Sequence, residues 1–145
     1  KLRTQQGVAL LEALISILVF SLGILGLVGL QALAIKNTTD AKYRADASFL
    51  ANQVIAQMWA DRANLAQYAH RPGGALCAPT GENSALAATQ TWLAEVNRVL
   101  PGAAADKQQI TVDAATGQVT VTVCWRANQE NSDHNHIVSA QIRAN

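Results

Sequence analysis

The sequence predicts an α+β fold in which one long N-terminal helix packs on a small antiparallel β-sheet together with a second helix. Three observations carry that prediction. No proline interrupts residues 8–64. Apolar residues recur at helical spacing through the outer part of that stretch, and after residue 108 the hydrophobic period changes from 3.6 to 2. At 145 residues the chain has room for one modest domain plus an anchor, and too little for two independent cores.

Half of the residues are apolar, yet only three Trp, two Tyr and two Phe are present, so the apolar character is aliphatic and concentrated at the N-terminal end. With Lys1, Arg3 and Glu12 set aside, nine basic and nine acidic side chains remain. A balance of that kind leaves no basic footprint for nucleic acid. Cys77 and Cys124 stand far apart without the CxxC spacing of a zinc or redox site, so a disulfide formed after export is the natural reading, two free buried thiols the alternative.

From Val8 to Leu30 the chain is apolar except for Glu12, Ser16 and Ser21. As a helix this stretch covers about 34 Å, enough to cross a bilayer. Lys1 and Arg3 precede it and no acid does, which keeps the N-terminus cytoplasmic and exports the chain beyond Leu30. An ordinary signal peptide has a shorter apolar core and ends in a small-residue cleavage site, whereas this stretch runs unbroken into QALAIKNTTDAKYRADASFLANQVIAQMWADR. The anchor is expected to be retained.

Glu12 conflicts with such a segment, because a carboxylate in hydrocarbon costs about 2.5 kcal/mol or more without a partner or a route to water. One reading has it near the membrane edge, snorkelling or protonated. The other supplies a cation: a cut after Gly7 would give Val8 a charged amine, and in a staggered assembly that amine and Glu12 can meet between subunits and fix their register.

QQGVALLEALISILVF resembles the class III signal of type IV prepilins, with Gly7 before the cut and Glu12 as the acidic fifth residue of the mature chain. The resemblance implies cleavage after Gly7 by a membrane prepilin peptidase and N-methylation of Val8. SLGILGLVGLQALAIKNTTDAKYRADASFLANQVIAQMWADR is similar to the PilV-type minor pilins, which carry a Gly-Leu-rich stretch ending in Leu-Gln and an alanine-rich amphipathic continuation. The likeness covers Gln5 to Arg62 and is thin beyond. Major pilins usually carry a proline in the membrane half of this helix, whereas the first proline here is Pro72, which favours a minor subunit.

On this resemblance residues 1–7 are a leader, 8–30 the transmembrane and filament-core half of a pilin-like first helix, 31–64 its amphipathic half, and 65–145 a globular periplasmic head. The implied function is structural: a minor pilus subunit that takes part in assembly or priming through its N-terminal helix. Its implied partners are other major and minor pilins, the prepilin peptidase and the inner-membrane assembly platform. It would sit in the inner membrane before assembly and in the pilus fibre afterwards. A minor pseudopilin of a type II secretion system is the alternative within the superfamily. A membrane-anchored periplasmic binding domain is the alternative from another class.

Gly23, Gly26 and Gly29 read either as a soft segment of the anchor, at about 1 kcal/mol each relative to alanine, or as notches for close helix packing. Beyond them Leu50, Val54, Ile55, Met58 and Trp59 recur at helical spacing. The i,i+4 pairs Asp40 with Arg44 and Lys42 with Asp46 belong on a solvated or subunit-facing side.

His70 to Asn83 reads as a loop punctuated by Pro72, Gly73, Gly74, Pro79 and Gly81. A second helix is expected from Ser84 to Leu100, with Leu86, Thr89, Leu93, Val96 and Leu100 on one face, Asn83 or Ser84 as cap, and Pro101-Gly102 as stop. Strands are expected at Gln109–Asp113, Val119–Arg126 and His136–Arg143, with a turn around Gly117. Val119, Val121, Val123 and Trp125 should face the long helix. Cys124 falls on the opposite side, where a bond to Cys77 would strap the loop across the sheet and contribute about 4 kcal/mol in the chain-entropy model.

Asp133, His134 and His136 suggest a metal, but a third ligand at a sensible spacing is missing, and the run reads as a solvated loop between strands. It also lacks the glycine and closing glutamate of a calcium loop. No phosphate cradle or nucleophile elbow is present. Neither a cofactor nor an enzymatic activity is expected.

Overall fold

A computed structural model of the chain describes residues 6–128 and 130–143, giving backbone alone for Gln6 and Gly7. Lys1 to Gln5, which belong to the expected leader and include the two basic residues expected to orient the anchor, lie outside the described residues. The expected α+β architecture is present. It consists of helix α1 (Gln6–Ala60), a short hairpin of β1 (Gly73–Ala75) and β2 (Ala78–Thr80), helix α2 (Ala87–Val99), and a sheet of β3 (Gln109–Asp113), β4 (Gln118–Trp125) and β5 (His134–Gln141). By its contacts the chain divides into two compact units, one ending at Thr39 and the other beginning at Asp40.

In the first unit α1 has no buried face: the side chains from Val8 to Ile35 are exposed throughout. In the second unit the same helix becomes one-sided. Ala47, Leu50, Ala51, Val54, Ile55 and Met58 follow an i, i+3, i+4, i+7 pattern, and none is more than 7% exposed. Trp59, expected on this face, lies about 100° around the helix from Met58. It is 46% exposed, with the Arg62 guanidinium over its ring. Neither Asp40 with Arg44 nor Lys42 with Asp46 closes into an ion pair among the described residues.

The helix ends at Ala60 rather than running on to Asn64, because Asp61 leaves helical geometry (φ −116°, ψ 47°) and Arg62–Tyr68 tightens into a 3-10 helix that kinks at Asn64. Two side-chain contacts tie this corner. Asn64 Nδ2 donates to Asp61 Oδ1 at 2.7 Å, and the Tyr68 hydroxyl lies 3.4 Å from Asp61 Oδ2. Burial, reinforced by the Asp61 carboxylate, raises the Tyr68 phenol above its ordinary value.

The segment read as a loop contains the β1–β2 hairpin, with Gly73 opposite Thr80 and Ala75 opposite Ala78. Strands of three residues are too short for a period-2 pattern to register, and their glycines and prolines mask them. Helix α2 is shorter than expected. Leu86 is its N-cap residue and makes no side-chain cap, while Ser84 serves the turn before it: its hydroxyl donates to Gln67 O at 2.6 Å and accepts the Leu86 N–H at 3.3 Å. The inward face carries Thr89, Leu93 and Val96 as expected, and also Trp92. The Trp92 indole N–H donates to Leu50 O at 2.9 Å, which seats α2 on α1.

The sheet is an antiparallel meander in the order β3-β4-β5. Val119, Val121, Val123 and Trp125 are at most 2% exposed and join α1 and α2 in a single core. β5 begins two residues earlier than expected, because His134 pairs with Trp125 and the two rings stack at 5.6 Å. The strand ends at Gln141, where the Ile142 N–H turns to Gly117 O at 2.7 Å. Gly117 permits that closure: its φ is +71°, and a Cβ there would stand 2.3 Å from Ile142 O.

His70 fastens the meander to the rest of the head. Its backbone exchanges two hydrogen bonds with Ile110, at 3.0 and 2.9 Å. Its ring, 2% exposed, accepts the Ser84 N–H at Nδ1 (3.2 Å), so the proton sits on Nε2 and donates to Ala105 O (3.1 Å). Replacing His70 by Ala strips partners from both backbone groups and should cost about 1–3 kcal/mol of head stability. Denaturation of the full chain in micelles checks this, and an unchanged midpoint would refute the fastening role.

Candidate functional site: the exposed N-terminal helix

The residues singled out for assembly lie on the first unit of α1. Gly7 and Val8 fall within the helix, and the single acid between Val8 and Ile35, Glu12, stands four residues after Val8 on the same helical face. Val8 is 68% exposed and Phe20 69%, so the whole circumference is available to lipid or to other helices. The helix is long and apolar enough to cross a membrane. Its hydroxyls are already satisfied: Ser16 donates to Glu12 O at 2.8 Å and Ser21 to Ile17 O at 2.7 Å. Apolar surroundings therefore impose no unmet hydroxyl there. Glu12 differs, since among the described residues nothing pairs with its carboxylate. A Cβ built on Gly23, Gly26 or Gly29 meets nothing within 4 Å, so the helix offers three open notches on its surface.

The head brings together the two cysteines. Cys77, in the turn between β1 and β2, is bonded to Cys124 on β4, with Cα atoms 5.6 Å apart. Cys124 lies on the sheet side opposite the helix, as its alternation with Val123 and Trp125 predicted, but it is fully buried. Its backbone is held by a side chain that the sequence did not single out. The buried Gln108 accepts the Cys124 N–H at Oε1 (2.8 Å) and donates through Nε2 to Cys124 O (2.9 Å). One amide side chain thus extends the β3 pairing past the end of that strand. Nothing in the local pattern marks Gln108, because its role depends on a residue sixteen positions away.

Of the run read as a solvated loop, Asn131 to His136, Asn131 and Ser132 form an exposed bend, and the rest is divided between an ion-pair cluster and the start of β5. Asp133 Oδ1 meets Lys107 Nζ at 2.8 Å and Arg126 Nε at 2.9 Å. Hydrogen bonding to Arg126, with Lys107 adding to it, holds its carboxyl below the ordinary value. His134 contacts Glu130 and stacks on Trp125, while His136 lies on the inner side of β5 opposite Val123. Among the described residues no group of three or more His, Cys, Asp or Glu could hold a metal. The concavity of about 610 Å³ beside Gln67, Pro72, Glu82, Ser84 and Leu86 contains one titratable side chain, Glu82.

Two outcomes test the head. Cys124→Ser opens a 47-residue closure and should lower stability by about 4 kcal/mol in the chain-entropy model; a loss below about 1 kcal/mol would mean the strap is redundant. Asp133 has a folded pKa below its ordinary 3.8, so its contribution is complete above that value and disappears as pH falls through the folded one. The stability gap between wild type and Asp133→Asn should therefore narrow on acidification below about pH 4, whereas a gap constant to strong acid would contradict the pairing.

No known protein family, curated protein or solved structure matches the chain.

Proposed function

We propose that this chain is a minor subunit of a type IV pilus, made as a prepilin, anchored in the inner membrane by the first half of α1, and assembled into a filament by burying that half among the helices of neighbouring subunits. Glu12 carries the proposal. It is one acid on a helix whose other side chains from Val8 to Ile35 are uncharged and all exposed, and no described residue neutralises it. In hydrocarbon or in a bundle of apolar helices that charge is costly unless it reaches water, takes up a proton or meets a cation, and assembly supplies the cation. Cleavage after Gly7 creates such a cation at the Val8 amine, and a neighbouring copy or a related subunit can present it. The pairing is electrostatic and directional, so it sets how far one subunit climbs past the next.

The Cys77–Cys124 disulfide supports an exported head, since disulfides persist in oxidising compartments. The head then faces outward and the helix does the assembling, without turnover of a substrate.

Mass spectrometry of the N-terminus from native membranes is the direct test. A mature chain beginning at N-methylated Val8 is expected, and one retaining Lys1 to Gly7 would overturn the prepilin reading. Glu12→Ala should leave the membrane level of the protein unchanged and remove it from sheared filaments. Undiminished incorporation of that variant would remove the reason for placing the register on this carboxylate.

A further inference from the structure

Among the described residues the sheet of the head has one edge held at Ile110 and one edge with no strand beside it, and the two differ in what they can accept. Ile110 of β3 directs its N–H and C=O away from β4, and both are taken by His70. That fixes the alternation through the whole meander, since in an antiparallel ladder a residue bonds either to one neighbour or to the other. Val121, opposite Ile110, therefore bonds toward β5, as do Val119, Val123 and Trp125, and their partners on β5 are Ala140, Val138, His136 and His134. The Gln108 bonds to Cys124 on the β3 side and the Ile142 bond to Gly117 obey the same alternation. Asn135, Ile137, Ser139 and Gln141 consequently direct their N–H and C=O groups out of the far edge of β5.

β5 has none of the features that usually blunt an edge strand. Its eight residues pair with β4 without a bulge, and HNHIVSAQ contains no Pro, Lys, Arg, Asp or Glu. Ile137, at its middle, is 50% exposed. A row of alternating donors and acceptors at strand spacing is matched by extended backbone and by neither lipid nor a helix.

Among the described strands another copy of the chain offers no suitable partner other than β5 itself. Its β3 edge is occupied at Ile110, and β1 and β2 have three residues each, too short to span Asn135 to Gln141. Antiparallel pairing of β5 with its own copy requires a two-fold axis perpendicular to the sheet, which turns the α1 segments packed on the two sheets in opposite directions. That geometry reverses the two heads relative to each other, and the identity of the cross-linked peptide separates it from pairing with a different polypeptide.

We propose that the free edge of β5 is a docking site for an extended, uncharged segment of a different polypeptide, which adds a fourth strand to the sheet. An apolar residue of that segment would lie against Ile137, and hydrogen-bonding residues against Asn135 and Ser139, whose hydroxyl already meets Thr120 Oγ1 at 2.9 Å on this face. Ile137→Pro is the informative variant, because it removes an outward N–H without removing a bond to β4, and proline is tolerated at such edge positions.

The full chain is compared in two settings, purified in detergent micelles and in membranes of the cells that make it. In membranes the amides of Ile137, Ser139 and Gln141 should exchange at least about tenfold more slowly than in micelles, while those of Val138 and Ala140, bonded to β4 in both, should not change. A photoreactive residue at Ser139 should give an adduct whose cross-linked peptide is an uncharged stretch of another protein, lost in Ile137→Pro and kept in Ile137→Val. Equal exchange in both settings, an adduct to lipid or to a second copy, or an adduct indifferent to Ile137→Pro would each overturn the proposal. An uncut N-terminus with a protected β5 edge would sink the pilin reading and leave this site standing, and a cut, filament-borne chain with an open edge would do the reverse.

Discussion

One continuous helix has to present two incompatible surfaces, and the rest of the molecule is arranged around that constraint. Over Val8 to Ile35 it is apolar apart from Glu12, Ser16, Ser21 and Gln31, and its side chains are exposed among the described residues. Over Ala47 to Met58 it buries one stripe of small and aliphatic residues and leaves the other faces to solvent. Apolar surface of the first kind gains nothing from the chain's own core and is stabilised only by lipid or by other helices. Surface of the second kind is the floor on which α2 and the sheet meet. The Trp92 bond to Leu50 O joins these roles, since it anchors the second helix to the backbone of the first at the centre of the core.

A head resting on so narrow a stripe has few residues with which to fix its loops, and it uses covalent and polar fasteners at the places where the stripe does not reach. The Cys77–Cys124 bond holds the β1–β2 hairpin against the side of the sheet away from the helix. Gln108 supplies backbone-like pairing to Cys124, and His70 joins the hairpin approach to β3 and to the turns on either side of α2. These side chains each satisfy two or more buried backbone groups. That economy matters in a small domain, where an unpaired buried amide costs a large share of total stability. The same closure at Ile110 that seals one edge of the sheet leaves the other edge as its open face.

Much of this was legible in the residues. The long helix, its inward stripe from Leu50 to Met58, the second helix, the inner face of β4 and the cysteine pair all stem from periodicity and from the number of cysteines. The departures have local causes. Trp59 and Leu50 share an apolar label, but one residue of rotation carries the indole out of the core and under Arg62. The hairpin was masked by its own glycines and prolines. Ser84 has the chemistry of a cap, yet its hydroxyl is drawn to Gln67 O, seventeen residues away, a partner that spacing does not reveal.

By itself the sequence determined the two helices and the three strands of the larger sheet, and that Val8 to Leu30 is long and apolar enough to cross a membrane with one acid, Glu12, within it. These are properties of neighbouring residues and of the solvent each side chain prefers, so they can be read along the chain. Only the tertiary structure decided how Asp133 divides between Lys107 and Arg126, that His70 closes the β3 edge, and which four residues of β5 direct their backbone outward. Those depend on which distant groups reach hydrogen-bonding distance, and the resulting alternation of bonds across the sheet exists only once three strands and the segment at His70 are in place.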